Sequence, residues 1–149
     1  MSVDAYPARL LNGLLQTERL ANGHRKLLRP LIVEIEGFVV EVPGATTTDY
    51  SSIPWYGRFL VRWSKVDIAG VVHDYLYQEV RGSRQHADEI WRLIAISGDH
   101  RANTMQAWVG WSALRLGGYP IWLRYKWAKM AQADIAGARP RAPYTVRIQ

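Results

Sequence analysis

The 149-residue chain contains no cysteine. That excludes a disulfide framework, a thiolate nucleophile and a thiolate zinc site, and leaves imidazole, carboxylate and hydroxyl groups to carry any chemistry. Phenylalanine is scarce, at two residues against seven tryptophans and eight tyrosines. Indoles and phenols favour surfaces with one apolar and one wet edge, which fits a protein or membrane interface. No apolar run approaches the roughly 18 residues that span a bilayer. The stretch MSVDAYPARLLNGLLQTERL lacks the apolar centre of a secretory signal, so the expectation is a soluble chain with neither signal peptide nor transmembrane segment. Internal repeats and low-complexity segments are absent too.

What is present suits one compact unit. Apolar residues make up 48% of the chain, enough for one core, and residues 1–149 read as a single domain. The net charge of +6 admits nucleic acid, anionic lipid or an acidic protein as partner. No consecutive basic run concentrates that charge, and no helix-turn-helix, zinc or single-strand-binding motif accompanies it, so nucleic acid is not expected.

Residues 8–21 have the spacing of a short helix within an N-terminal segment, 1–26. In LIVEIEGFVVEVPG, Val33, Ile35, Phe38, Val40 and Val42 alternate with Glu34, Glu36 and Glu41, which predicts a half-buried hairpin hinged near Gly37. The polar stretch ATTTDYSSIPWYGRFL then reads as a structured loop that completes the segment 27–65. Helical periodicity fills 66–136, with helices at about 66–80, 84–97, 102–116 and 120–136. Residues 137–149 form an irregular tail. The expected fold is mainly α (α+β), a small N-terminal β-hairpin followed by a bundle of about four helices.

The apolar stretch VVHDYLYQEV places His73 and Asp74 side by side. On a helix His73 shares a face with Ala69, Gly70, Leu76 and Tyr77, which leaves room beside the imidazole. A lone histidine there is usually a hydrogen-bonded core residue, but Asp88 follows on the next predicted helix after a short link. Two antiparallel helices so joined bring Asp88 opposite His73, where a carboxylate fixes the imidazole tautomer and stabilises the imidazolium. His24, His86 and His100 stand in polar or turn contexts and read as exposed imidazoles.

The His-Asp-x-x-Tyr helix followed by Asp, VDIAGVVHDYLY then HADEIWRLI, resembles the core of the calcium-dependent secreted phospholipases of the A-two class, and more closely the phospholipase domain of parvovirus capsids. The resemblance covers about residues 66–95. It implies that His73 activates water, Asp88 orients His73, Tyr77 braces Asp88 and Asp74 binds calcium. Where those enzymes carry a glycine-rich calcium loop, YSSIPWYGRF offers one glycine, Gly57.

A second resemblance spans about residues 27–120. VEVPGATTTDYSSIP, then VVHDYLY, then HADEIWRLI is similar to a family of bacteriophage and prophage proteins with the pattern Val-Pro-x-Gly-x-x-Thr-Asp-[Phe/Tyr]-[Ala/Ser]-Ser-[Ile/Val]-Pro, His-Asp-x-Leu-Tyr and a later Ala-Asp. It implies a place in the virion or the infected host's cytoplasm, and adds Asp49. That aspartate has a local explanation, since Asx turns satisfy backbone N–H groups. Alternatively the loop brings Asp49 to His73, Asp74 and Asp88, a cluster suited to calcium or another divalent cation, or to a water-activating base.

The stretch MQAWVGWSALRLGGYPIWLRYKWAKMA also has two readings. Trp108, Trp111 and Arg115, and likewise Leu123, Trp127 and Met130, have the spacing of the inner seam of a helical hairpin turning at Gly117-Gly118. Alternatively Trp122, Arg124, Tyr125, Lys126, Trp127 and Lys129 form a basic aromatic surface for anionic lipid or a partner chain. Two functional classes stay open. One is a hydrolase, lipolytic in type, acting at membranes during host penetration or lysis. The other is a non-enzymatic virion or morphogenesis component of tail, neck or baseplate, which could assemble with other phage proteins or as an oligomer and would use the same residues as a structural polar network.

Overall fold

The computed structural model of the chain describes residues 7–48, 67–97 and 101–136, the last three as backbone. Among the described residues six strands precede four helices: β1 (Ala8–Leu10), β2 (Thr17–Arg19), β3 (Arg25–Leu27), β4 (Leu31–Ile35), β5 (Phe38–Val42), β6 (Thr47–Thr48), α1 (Asp67–Gln78), α2 (Arg84–Ala95), α3 (Thr104–Gly117) and α4 (Tyr119–Ala136). The strands make two antiparallel three-stranded sheets, ordered β1-β4-β5 and β2-β3-β6.

The alternation read between residues 33 and 42 is realised in β4 and β5, which turn at Glu36 and Gly37 and pair Ile35 with Phe38, Val33 with Val40 and Leu31 with Val42. The expectation of a mainly α chain with one small N-terminal hairpin is nonetheless overturned. The described residues are about 50% helix and 20% strand, an α+β fold, and the hairpin supplies two strands of six. Residues 8–21 are not a helix but contain β1 and β2. The Asn12 side chain explains part of this. It donates to the Pro30 carbonyl at 2.5 Å and accepts from the Ile32 N–H at 3.0 Å, fastening the turn after β1 to β4. Sheet pairing there outweighs a local helical spacing, as tertiary context commonly does. The Thr-Asp loop expected before residue 65 and the tail 137–149 lie outside the described residues, apart from residues 45–48.

The inner face of the first sheet, Ala8, Val33, Ile35, Val40 and Val42, is buried in one core with α1 and α2. Buried Ala87, Ile90, Trp91 and Ile94 lie on one side of α2, and Trp91 extends the core to α3. A Cβ on Gly110 would run into the Trp91 indole, so α3 approaches α2 at a distance only glycine allows. β6 is tied to α1 by Gln78 Nε2, which donates to the Thr47 carbonyl at 2.9 Å.

α4 departs from the inner-seam expectation. Trp122 is buried, whereas Trp127 and Met130 lie on the surface with 64% and 55% exposure. Trp108 of α3 is half-exposed too, edge-on to Trp111 and under the Arg92 guanidinium at 4.7 Å. The spacing of three and four marks a stripe without saying which way it faces.

The tight α2–α3 contact yields a stability prediction. Gly110→Ala forces the Trp91 indole to move in a packed core, where overpacking costs about 1 to 3 kcal/mol. Thermal unfolding should show a midpoint lower by several degrees, and an unchanged midpoint would contradict the packing described.

Candidate functional site

His73 and Tyr77 project from one face of α1, one turn apart, with ring centroids 4.1 Å from each other. Ser83 precedes α2 and caps it, its side chain accepting from the His86 N–H at 3.1 Å. This start sets Asp88 in the second turn of α2, facing α1. His73 Nε2 lies 2.8 Å from Asp88 Oδ1, and the Tyr77 hydroxyl donates to the same oxygen at 2.7 Å. His73 is 1% exposed, and Asp88 and Tyr77 are fully buried.

The second oxygen of Asp88 faces two arginines. Arg115 Nη1, from α3, donates to Oδ2 at 3.1 Å, and Arg84 Nη1, one turn before Asp88 on α2, stands 3.7 Å from it. Arg84 also donates to the Leu114 and Arg115 carbonyls at 3.3 and 2.9 Å, holding the last turn of α3 in place. Three helices thus converge on one carboxylate. The α3–α4 junction closes over Tyr77: a Cβ on Gly118 would fall 2.7 Å from the tyrosine oxygen, and Trp122 meets its ring edge-on at 5.0 Å.

The electrostatics follow from this enclosure. Burial alone would lower the pKa of His73, but hydrogen bonds to Asp74 and Asp88, and the charges of both, raise it above the ordinary 6.5. Burial alone would raise the pKa of Asp88, but its bonds with His73 and Tyr77, the imidazolium charge and the bond from Arg115 lower it below 3.8. Tyr77 is pushed far up, first by burial and then by the Asp88 carboxylate, so its hydroxyl stays protonated and acts as a donor.

Asp74, also buried, accepts a hydrogen bond from the Thr48 hydroxyl of β6. The strand pair β3–β6 therefore delivers Thr48 to the back of the site. Asp49 lies outside the described residues, and so does His100. His24 is exposed as expected, while His86 is half-buried beside Phe38 at 6.1 Å between centroids, so the exposed reading of His86 does not hold. Calcium takes six to eight oxygen ligands. Among the described residues no group of three or more His, Asp or Glu side chains stands in metal-holding geometry, and one Asp74 oxygen is engaged by Thr48. The described donors alone do not assemble a calcium site.

Of the residues singled out from sequence, the structure joins His73, Asp74, Tyr77 and Asp88. Sequence reasoning missed Arg84, Arg115 and Thr48 as their partners. Arg84 was within reach, since it precedes Asp88 by four residues on one helix. Arg115 had been read only as part of an aromatic seam, and its place depends on how closely α3 packs.

The shifts at His73 and Asp88 make stability depend on pH in a defined sense. The His73 contribution is complete below the unfolded value of 6.5 and is lost as pH rises through the higher folded value. The Asp88 contribution is complete above the unfolded value of 3.8 and is lost as pH falls through the lower folded one. The stability advantage of wild type over His73→Gln, measured by urea unfolding, should therefore be largest below pH 6.5 and shrink above it. An advantage that stays constant into the alkaline range would contradict the charged pair.

No curated protein and no solved structure matches the chain. No helix among the described residues is long and apolar enough to cross a membrane. Residues 25–114 match the family described as a protein of unknown function, DUF1353. This match begins at β3 and ends at Leu114, so it contains every member of the buried cluster except Arg115. With more than half of its length matched, the chain belongs to the DUF1353 family.

Proposed function

We propose that the chain is a phage-encoded hydrolase of phospholipase type, in which His73 is the general base and Asp88 its orienting partner. The observation that carries this reading is the fixed Nε2 contact of His73 on Asp88, with Tyr77 bound to the same carboxylate oxygen. A carboxylate so placed holds one imidazole tautomer and stabilises the imidazolium formed when the ring takes a proton. In the proposed step Nε2 stays on Asp88, and the other ring nitrogen of His73, released from Asp74, takes a proton from water while the water oxygen attacks an ester carbonyl of a phospholipid. The tetrahedral intermediate then expels the alkoxide leaving group, which takes the proton back from the imidazolium. Phage or prophage origin and action at membranes during host penetration or lysis belong to the same proposal. The His-Asp-x-Leu-Tyr and Ala-Asp text of the chain supports them.

The 1% exposure of His73 favours a second reading. There the imidazole, two carboxylates, Tyr77 and two arginines form a buried polar network that fixes the helices of a virion or morphogenesis protein. The two readings assign opposite outcomes to His73→Gln. As a base, the loss of proton transfer lowers the hydrolysis rate by about 10² to 10⁴ while the fold survives. Wild-type activity then rises with pH through the raised pKa of His73, because the base must be unprotonated. The test is fatty-acid release from mixed anionic phospholipid vesicles with calcium, magnesium or chelator, alongside thermal unfolding of both proteins. Release above a no-protein control that collapses in a folded His73→Gln supports the hydrolase. Absence of release in every condition, with the variant unfolding, overturns it in favour of the network.

A further inference from the structure

The positive charge of the chain is not spread along it. Residues 1–118 hold 13 Lys and Arg against 12 Asp and Glu, a balance of +1. Residues 119–149 hold Arg124, Lys126, Lys129, Arg139, Arg141 and Arg147 against Asp134 alone, a balance of +5. No basic run exists, yet one segment carries nearly all of the net +6.

That segment begins with α4, which has two different apolar faces. The inner one carries Trp122 against Tyr77. At about 100° per residue, Tyr119, Leu123, Trp127 and Met130 fall within a single stripe whose centre lies about 100° around the helix from Trp122. Tyr119, Trp127 and Met130 are 55%, 64% and 55% exposed. Arg124 and Lys126, both exposed, border the stripe on its two sides, while Lys129 turns away to bond Glu79 at 3.0 Å.

We infer that this outer face of α4 docks on an anionic lipid surface. An exposed apolar stripe with basic borders is the arrangement of a helix lying in a membrane interface, where the stripe enters the acyl boundary and the cations stay among headgroups. Trp127 and Tyr119 suit that depth, since their rings are apolar and their polar edges stay wet. A second copy of the chain is a poorer occupant. It brings another +5 segment against the first. Nucleic acid would satisfy Arg124 and Lys126 but would leave Leu123 and Met130 without an apolar environment.

Docking rests on α4 and holds whether or not His73 acts as a base. The probe is therefore vesicles of ether-linked phosphatidylglycerol and phosphatidylcholine, which lack the carboxylic ester of the proposed reaction and keep binding apart from turnover. The full chain should co-sediment with them, bind pure phosphatidylcholine vesicles at least about tenfold more weakly, and dissociate with added salt. Arg124→Glu combined with Lys126→Glu should weaken binding about tenfold or more. Trp127→Ala should weaken it too and remove part of the blue shift in tryptophan emission. All three positions are on the surface, so circular dichroism should be unchanged. Equal binding to both vesicle types, or full binding by the charge-reversed variant, overturns the inference. So does capture by duplex DNA or polyglutamate, sensitive to the same variants, without vesicle binding. A dimer abolished by Trp127→Ala in sedimentation would assign the stripe to a second copy and overturn it likewise.

Discussion

An ionised carboxylate removed from water costs several kcal/mol unless its lone pairs are satisfied by donors of excellent geometry. Asp88 is fully buried, and its two oxygens are met by an imidazole, a phenol and two guanidinium groups drawn from three helices. Much of the helical arrangement follows from satisfying this one group. α1 must present His73 and Tyr77 on one face, α2 must begin early enough to aim Asp88 at them, and α3 must lie close enough for Arg115. Gly110 permits the approach of α3 to α2, and Gly118 permits the α3–α4 junction to close over the Tyr77 hydroxyl. Removing any one partner leaves charge or polarity buried without compensation, which is costlier than the pair's own net contribution.

The same centre sets the chemical character of the site. Two carboxylates around His73 make the imidazole more basic than usual, and the donors around Asp88 keep it ionised. Basicity and orientation are what a water-activating base needs. They are also what a structural ion pair has. Accessibility and reactivity therefore distinguish the readings, not the contact geometry alone. α4 contributes separately, with an inner face that seals Tyr77 and an outer face that carries exposed aromatics and cations.

Sequence patterning revealed what depends on periodicity within one element. The alternation of Val33, Ile35, Val40 and Val42, the four helices and the approach of His73 to Asp88 across a short link all rest on local spacing. It misjudged what depends on packing between elements. β1, β2 and β6, at two or three residues each, are too short to show a period, so residues 8–21 read as a helix and the chain as mainly α. Trp127 and Met130 recur at helical spacing on the outer face, where the seam reading had placed them inside. Arg115 and Thr48 reach the site only through helix packing and through the β3–β6 pairing, neither of which leaves a local mark.

The most direct test of the role assigned to Asp88 is an NMR titration of the His73 ring nitrogens. If the carboxylate holds the imidazolium as its charged partner, the His73 midpoint lies above 6.5 in the wild type and moves down in Asp88→Asn, where burial opposes the charge with less to offset it. A midpoint at or below 6.5 that Asp88→Asn leaves unmoved would contradict the account.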